Sequence, residues 1–446
     1  PPGAVHTLTS IYGYSDTLSM IQSNVFQLQS QGFIAQKLTA ARKLTADLTR
    51  AVRTESASAL FDGYCRQNFL DNVLRGGYPL VLDEDEIYHV YSRKHGDLER
   101  DYNYFVLPPE YYSQGNGNYR DINQNRRSDV FFEPKAGDPN IRLFMSLIQA
   151  DGYNPLIIQG MNFSLPEDQV DPLLALSDGN EVLSALLHTR FSPGELLAAA
   201  EKAWLAIPLD EFLQHVFAHA KANYLVEHSE GFWNDHWTYN LDLVESYLAI
   251  FPDKKTSLLF DSDLLPFYDN AHIVQPRAAR YVLYNGEPRQ LNAVAFDPAK
   301  AELIAERQTD QHWARTDHGK GEVFRLPLFS KLALLVLIKF FTLDPSGMGI
   351  QMEAGKPGWY DALNGLPGLF GSSMPETYEL LRLVKFLIET LQLAPQGITL
   401  PTEAQILLEM LNDLGEDAAD DFELWERRSD ALEAYRHAIR LGFGGR

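Results

Sequence analysis

The sequence LFSKLALLVLIKFF, residues 328–341, contains the most apolar run of the chain, which extends from Leu332 to Ile338. Lys331 and Lys339 flank this run. A membrane-spanning helix needs about 20 apolar residues, so the run is far too short to cross a bilayer. The stretch therefore predicts a helix that is buried in a protein core.

Similar helical patterns occur on both sides of this stretch. Apolar residues at spacings of three and four predict a helical hairpin over residues 15–53 and another helix over 57–74. The stretch Ser192-Pro193-Gly194-Glu195 is a capping box with proline at the first helical position, and it predicts a helix as far as Ala206. Further helices are predicted over residues 209–226, 240–251, 328–341, 377–391, 402–414 and 424–440.

The stretches between these helices predict little other regular structure. Residues 80–140 are rich in Gly, Asn, Tyr and charged side chains and predict a long loop region. Residues 279–284 and 293–296 predict a small β insertion. Because no alternation of strands and helices occurs, the predicted fold is mainly α, a barrel or bundle of helices.

The composition predicts a folded chain that binds neither nucleic acid nor a membrane. Hydrophobic residues make up 45% of the 446 residues and charged residues 22%, which is enough apolar material for a substantial core. The formal net charge of -22 repels nucleic acids and anionic lipids, because both need an excess of Lys and Arg at the contact. Neutral ligands such as sugars fit this charge, whereas an anionic substrate needs a local cationic pocket.

Cys65 is the only cysteine, so the chain can form neither an intrachain disulfide nor a thiolate metal cluster. We predict no metal site and no cofactor, and a reducing cytoplasm is the expected location. The sequence begins Pro1-Pro2-Gly3, without an initiator Met or a signal-peptide pattern, and it stops just past a helical stretch. We therefore expect it to be a piece of a longer protein, cut at both ends.

The segment GKPGWYDALNGLPGLFGSS, residues 355–373, surrounds one carboxylate, Asp361, with glycine, proline and aromatic residues. Limited access of water disfavours the charged form of a carboxyl group, so Asp361 beside Trp359 and Tyr360 can stay protonated. A protonated carboxyl is the general acid that glycosyl transfer needs. Asp followed by Ala-Leu-Asn also suits a helix N-cap, and the residues alone leave both interpretations open.

Two other patterns are less specific. His215 and His219 are four positions apart, with Glu211 one turn earlier, which is a spacing that can hold a metal ion. The residue order of a zinc protease is missing, so a solvated helix face is the preferred interpretation. The glycine-flanked residues 317–321 lack the spacing of a P-loop and form either an active-site flap or an ordinary turn.

Three short elements resemble the cellobiose-phosphorylase-type enzymes of glycoside hydrolase family 94, in the order in which that family has them. Residues 359–364, WYDALN, resemble the W-N-D-x-x-N element, residues 234–237, NDHW, resemble D-D-H-x-W, and residues 117–124, GNYRDINQ, resemble G-F-R-D-x-x-Q. The chain departs from that family at Tyr360, where the cellobiose enzymes have Asn, and at Asn125, where they usually have Asp.

Residues 52–78 and 112–117 are closer to the β-1,3-glucan phosphorylases of glycoside hydrolase family 161. The resemblance covers nearly the whole chain and implies an incomplete (α/α)6 toroid with a preceding helical linker and a small β insertion. The resemblance implies that residues 1–55 comprise the end of a β-sandwich connection and the helical linker. Residues 56–446 become a catalytic domain that is truncated at its C-terminal end.

The resemblance implies inverting phosphorolysis of a β-glucan, with phosphate as co-substrate and α-glucose 1-phosphate as product. The expected substrate is a β-1,3-linked gluco-oligosaccharide, Asp361 is the implied general acid, and a homodimer is a possible assembly. Arg93 matches an arginine that the family uses on phosphate, and the other phosphate ligands are expected beyond the end of this chain. The implied sugar-binding residues are Trp359, Asn364, Arg120, Asp121, Asp235, His236 and Trp237.

Each of these residue roles has an alternative. Arg120 and Asp121 can instead form a surface salt bridge. Asp235 and His236 can instead belong to a packed helix start. The latter pair lies between two tryptophans, which suits sugar binding because carbohydrate faces stack on indole rings.

Two other functions remain open. A glycoside hydrolase or transglycosylase on the same scaffold needs a second carboxylate near the sugar, such as Glu353 or Glu376. A noncatalytic carbohydrate-binding protein would use the aromatic loops to bind glucan and Asp361 only as a helix cap. Phosphate dependence and turnover by the intact protein separate these functions from a phosphorylase. Because part of the implied phosphate site is missing, the piece by itself can be inactive.

Overall fold

A computed structural model describes residues 3–12, 18–71, 73–83, 86–91, 110–229, 231–261, 264–290, 293–356, 372–394, 397–413 and 420–445. Helices account for 52% and strands for 15% of this structure. The strands form small sheets of two or three strands among the described residues. The predicted mainly α fold is confirmed at this level.

Three helices form the N-terminal part: α1 (Leu18–Gln29), α2 (Phe33–Leu48) and α3 (Ala59–Asp71). The chain turns between the first two at Gly32, whose φ of 90° is accessible mainly to glycine. The predicted hairpin and the helix after it are therefore confirmed. Helix α2 buries none of its side chains within the described structure. The predicted domain boundary at residue 55 stays a prediction.

The predicted long loop over residues 80–140 is wrong, because the described part of this region contains regular structure. Its elements are β1 (Tyr78–Asp83), β2 (Glu86–Val90), β3 (Gly117–Asn118), α4 (Tyr119–Arg126), α5 (Asp129–Phe132) and α6 (Pro139–Ser146). Asp121, Asn123 and Arg126 of α4 are buried although they are polar. A helix that buries polar side chains shows no apolar period in its sequence, so the pattern does not reveal it.

The next part of the chain packs short helices against an antiparallel sheet. Its elements are β4 (Ile157–Ser164), α7 (Glu167–Leu174), α8 (Glu181–Leu187), α9 (Pro193–Ala200), α10 (Leu209–His219) and β5 (Lys221–Glu227). Strand β4 lies between β3 and β5 in this sheet.

The structure confirms the helix starts predicted here and corrects two helix ends. Ser192 and Glu195 form both hydrogen bonds of the capping box, but α9 ends at Ala200. The helix predicted over residues 209–226 ends at His219, because residues 221–227 pair with β4 instead. The side chain of His215 is 50% exposed, so the solvated helix face is confirmed there.

The remaining elements are helices with short strands between them. They are β6 (Phe232–Trp233), α11 (Asn240–Ile250), β7 (Leu265–Pro266), β8 (His272–Val274), α12 (Arg277–Arg280), β9 (Tyr281–Tyr284), β10 (Glu287–Gln290), β11 (Val294–Phe296), α13 (Pro298–Ala305), β12 (Arg325–Leu326), α14 (Leu328–Phe341), β13 (Ile350–Gln351), β14 (Gly355–Lys356), β15 (Ser372–Ser373), α15 (Met374–Leu391), α16 (Ala404–Asn412) and α17 (Asp421–Ala438). The predicted helices are confirmed as α11, α14, α15, α16 and α17. The small β insertion is confirmed by the pairs β8–β11 and β9–β10.

Helix α14 joins two hydrophobic cores. Leu332 and Leu335 pack in one core with side chains from α4, α6, α11 and α15. Leu334 and Ile338 pack in another core with side chains from α16 and α17. A helix that is covered on all sides in this way has to be apolar around its whole circumference, as the sequence predicts. None of the described helices is long and apolar enough to cross a membrane.

Candidate functional site

The structure describes part of the predicted site. The predicted residues that it describes are Arg120, Asp121, Asp235, His236 and Trp237. The predicted residues that lie outside the described ranges are Arg93, Trp359, Asp361 and Asn364. Of the described residues, the first two lie in the first turn of α4, and the other three lie in the turn between β6 and α11.

A buried polar network fixes α4 against α11. The hydroxyl of Tyr119 lies 2.7 Å from the carbonyl oxygen of Phe144 and 3.1 Å from Oδ1 of Asn240. The amide of Asn123 donates to the same Oδ1 of Asn240 at 2.8 Å. These bonds hold the first turn of α4 beside the start of α11, and so they bring the two predicted motifs together.

Arg120 connects the two motifs directly. Its Nη1 donates to Oδ2 of Asp235 at 2.5 Å, and its Nη2 donates to Oδ1 of Asp121 at 3.4 Å. The side chains of Asp121 and Asp235 are only 1% and 5% exposed. The alternative of a surface salt bridge is therefore wrong, because both carboxylates are buried. Arg120 and Asp235 are 115 positions apart, so this ion pair is a tertiary contact.

The ring of His236 is nearly parallel to two neighbouring aromatic rings. Its ring centroid lies 6.3 Å from that of Tyr119 and 6.0 Å from that of Trp233, with all three rings nearly parallel. The amide of Asn154 lies 3.4 Å from Nδ1, which places the ring proton on Nε2. Burial and the positive charge of Arg120 lower the pKa of His236 to about 3. Nε2 has no hydrogen-bond partner among the described residues, so the ring presents a neutral N–H donor.

Trp237 packs into the same core as α4 and is 3% exposed. Its indole Nε1 is also without a hydrogen-bond partner in the described part of the chain. The ammonium group of Lys339 lies 5.5 Å from the ring of Trp237 and 4.7 Å from that of Tyr153. Burial lowers the pKa of Lys339 to about 8. A largely protonated cation thus lies against aromatic rings beside the site at neutral pH.

Glu353, one of the two carboxylates that a hydrolase could use, is already engaged in a network. It accepts hydrogen bonds from Tyr153 at 3.1 Å, from Arg280 at 3.2 Å and from Arg436 at 3.1 Å. Burial alone would raise its pKa, but the two arginines lower it to about 2. This carboxylate therefore stays ionised and serves the structure, so it does not fit the role of a catalytic acid or base.

Glu376, the other carboxylate that a hydrolase could use, has a raised rather than a lowered pKa. It lies in the first turn of α15 and is 1% exposed. Burial and the negative charge of Asp235 raise its pKa to about 7, against the effects of its own backbone N–H, Lys339 and Arg120. Its Oε2 has no hydrogen-bond partner among the described residues. A buried carboxyl group thus lies in the electrostatic environment of the Arg120–Asp235 pair.

Both ends of the segment that carries WYDALN are anchored at this site. Lys356 of β14 pairs in parallel with Trp233 of β6, immediately before residue 357. On the other side, β15 begins at Ser372 and pairs with Gln351 of β13. The amide of Asn234 donates to the carbonyl oxygen of the same Gln351 at 3.0 Å. Lys356 and Ser372, which border the segment on either side, are therefore both connected to the turn that holds Asp235 and His236.

Three residues that surround His236 were missed as site residues. Tyr119 lies inside the motif at residues 117–124 and Trp233 directly precedes the one at residues 234–237, so an aromatic residue in or beside a motif was the available signal. Asn154 lies 82 positions from His236, and no pattern in the residues around it indicates this contact. This contact depends on tertiary packing alone.

A separate cavity of about 180 Å³ lies between α17, β8 and the turn after Gln149. Its Lys and Arg side chains are already paired within the described structure, Lys300 with Asp269 at 2.6 Å, Arg436 with Glu353 and Arg440 with Asp297. Paired cations do not make this cavity a phosphate site. In the described ranges, no cluster of three His, Cys, Asp or Glu side chains could hold a metal ion.

The arrangement can bind a polyhydroxyl ligand. It combines guanidinium and imidazole N–H donors, carboxylate acceptors and aromatic rings, which are the groups that recognise the edges and faces of a sugar. Comparison with known proteins gave no assignment, since neither a family model nor a curated protein matches this chain.

Proposed function

We propose that this chain belongs to a glycoside phosphorylase that cleaves a β-glucan, with a β-1,3-linked gluco-oligosaccharide as substrate and phosphate as co-substrate. The observation that carries the proposal is the contact of Arg120 with Asp235. It joins two of the three motifs in one buried polar cluster, and both ends of the segment with the third motif are anchored beside that cluster.

In this proposal Asp361 donates its proton to the glycosidic oxygen as the bond to the anomeric carbon breaks. A phosphate oxygen attacks the opposite face of that carbon, so the configuration inverts and α-glucose 1-phosphate is released. Phosphate is already a nucleophile, so the reaction needs no second carboxylate to activate water. Arg93 would contribute to the phosphate site, and Trp359 and Asn364 to the sugar site.

The described residues would bind the glucosyl unit that is transferred. Arg120 and His236 supply N–H donors, and Asp121 and Asp235 supply acceptors for hydroxyl groups. Burial makes such charge-assisted hydrogen bonds strong and directional. An incomplete (α/α)6 toroid is the architecture we propose around them. The core shared by α4, α6, α11, α14 and α15 supports this architecture.

Hydrolysis or transglycosylation is the second candidate, and Glu376 is the observation that favours it. A buried carboxyl with a pKa of about 7 is suited to accept a proton from water. In that case the protein would release free glucose or transfer it to another sugar without using phosphate.

The test is to incubate the intact protein with β-1,3- and β-1,4-linked gluco-oligosaccharides, with and without phosphate, and to measure α-glucose 1-phosphate and free glucose. We expect α-glucose 1-phosphate only with phosphate, and mainly from the β-1,3-linked series. Asp361→Asn should lower turnover about 10²–10⁴-fold, while oligosaccharide binding remains. Asp413→Asn, at an exposed aspartate, is the matched control.

Three outcomes would contradict the proposal. Release of glucose independent of phosphate would identify a hydrolase. Binding without turnover would identify a noncatalytic sugar-binding protein. Full activity of Asp361→Asn would remove this residue from the mechanism.

A further inference from the structure

Glu376 is placed at the site by the start of α15. The hydroxyl of Thr377 donates to the carbonyl oxygen of Ser373 at 2.6 Å and accepts from the backbone N–H of Ile350 at 3.0 Å. These bonds fasten the first turn of α15 to β13. Asn234 also donates a hydrogen bond to β13, so the segments that carry Glu376 and Asp235 are both fastened to this strand.

The charged groups that act on Glu376 come from three different elements. They are Asp235 from the turn before α11, Arg120 from α4 and Lys339 from α14. Asp235 already accepts a hydrogen bond from Arg120. Arg120 is shared by Asp235 and Asp121, so an ionised Glu376 would add a further negative charge near this guanidinium and the ammonium of Lys339.

The protonation state of Glu376 follows from this surrounding. Its pKa is raised to about 7, chiefly by burial and next by Asp235. Below pH 7 the carboxyl is therefore increasingly neutral, and at pH 6 most of it carries an O–H group, which can donate a hydrogen bond. Glu353 is by contrast ionised, because Arg436 and Arg280 lower its pKa to about 2 against the effect of burial.

We propose that Glu376 contacts the glucosyl unit in the candidate site, where its buried carboxyl group, whose Oε2 has no hydrogen-bond partner among the described residues, donates a hydrogen bond to a sugar hydroxyl oxygen. A sugar hydroxyl both donates and accepts. Asp235 supplies an acceptor and Glu376 supplies a donor, so the pair satisfies both capacities of a hydroxyl group. This inference rests on the proposed function for the identity of the ligand, and it assigns Glu376 to binding rather than to water activation.

Glutamine separates these two roles, because it keeps the shape of glutamate and an amide donor but cannot act as a base. In the intact protein we expect Glu376→Gln to keep kcat/KM within about threefold of wild type at pH 6. The fall of kcat/KM that deprotonation of Glu376 causes as pH rises through 7 should disappear in this variant. Glu376→Ala should raise KM roughly tenfold, as expected for the loss of one hydrogen bond.

Glu379→Gln is the matched control. Glu379 lies one turn further along α15 and also has a pKa of about 7, raised by burial. Its carboxylate pairs with Arg382 at 3.2 Å, outside the candidate site. The substitution should change neither KM nor the pH profile of kcat/KM. The pKa of Lys339 is about 8 and is raised in part by Glu376, so replacing Glu376 also lowers it. Lys339 stays largely protonated between pH 6 and pH 7, and the comparison of profiles over that interval reports on Glu376.

Two results would overturn the inference. An inactive Glu376→Gln, with its melting temperature and the activity of Glu379→Gln preserved, would show that the ionised carboxylate is required. Unchanged KM and pH profile in Glu376→Ala would show that the residue does not contact the ligand.

Calorimetric titration with laminaribiose separates this inference from the proposed function. If the wild type binds the disaccharide but forms no α-glucose 1-phosphate, the proposed function fails. A loss of affinity in Glu376→Ala alone would still support the contact. Equal affinity in wild type and Glu376→Ala would refute the contact, whatever reaction the protein catalyses.

Discussion

At the scale of single residues, Arg120 explains why the candidate site needs a guanidinium group. Its planar fork presents donors in fixed directions, and two of them reach Asp235 and Asp121. A lysine ammonium is a single point of charge and would not span both carboxylates in this way. The main structural role of Arg120 is thus to neutralise two carboxylates that are buried close together.

Arg120→Ala should lower the free energy of unfolding by about 3–5 kcal/mol, since it removes the guanidinium group that the buried carboxylates of Asp121 and Asp235 share. Arg50→Ala is the control, because Arg50 pairs with Asp47 at 2.5 Å but is 76% exposed. An exposed pair contributes about 0–1 kcal/mol. Urea unfolding measures both changes. Similar small effects of the two substitutions would contradict the account of a buried ion pair.

At the scale of elements, predictions succeeded where local sequence decides the structure. The capping box at Ser192 formed because its two hydrogen bonds join residues only three positions apart. Helix α14 was predictable because burial on all sides requires an apolar sequence all round. Both signals lie within one turn or one helix.

Predictions failed where partners distant in sequence decide the structure. Residues 221–227 became β5 because the edge of β4 offers them backbone hydrogen bonds, which overrides a helical pattern. The polar helix α4 exists because Asn240, 117 positions from Asn123, satisfies its buried amide. No local pattern contains either partner.

The candidate site was predictable to the same limited extent. Short motifs identified Arg120 and Asp235, and the structure brings these two into contact. The opposite protonation states of Glu353 and Glu376 could not be predicted from sequence. The state of Glu353 depends on two arginines and that of Glu376 on burial and on Asp235, and all of these result from packing.

At the scale of the whole molecule, burial favours the neutral forms of several histidine and glutamate side chains. It lowers the pKa of His89 and His228 to about 4 and that of His236 to about 3, and it raises the pKa of Glu376 and Glu379 to about 7. A histidine with a lowered pKa stabilises the fold above pH 6.5, and this stability is lost as pH falls to the folded pKa. A carboxyl with a raised pKa costs stability as pH rises from 4.5 through 7.

The sum of these effects predicts a steep loss of stability below about pH 5. Between pH 6.5 and 4.5 the three histidines and the two carboxyl groups change the free energy of unfolding in opposite directions as pH falls. The histidines bind protons mainly in the unfolded chain, which lowers stability, and the carboxyl groups bind them mainly in the folded chain, which raises it. Below pH 4.5 the carboxyl effect is exhausted and the histidine effect continues. Urea midpoints measured from pH 7 to pH 4 should fall most between 5 and 4. A midpoint that stays level or rises over that last interval would refute the assignment of neutral buried histidines.

The most direct test of the central claim, that three separate motifs form one sugar site, is a distance. A crystal structure of the intact protein with a bound gluco-oligosaccharide would give the position of the Asp361 carboxyl relative to Arg120 and His236. We predict that this carboxyl lies about 3 Å from the glycosidic oxygen while Arg120 and His236 contact the adjoining sugar. A separation of more than about 15 Å from both the Arg120 guanidinium and the His236 ring exceeds a single-sugar pocket and would contradict the account.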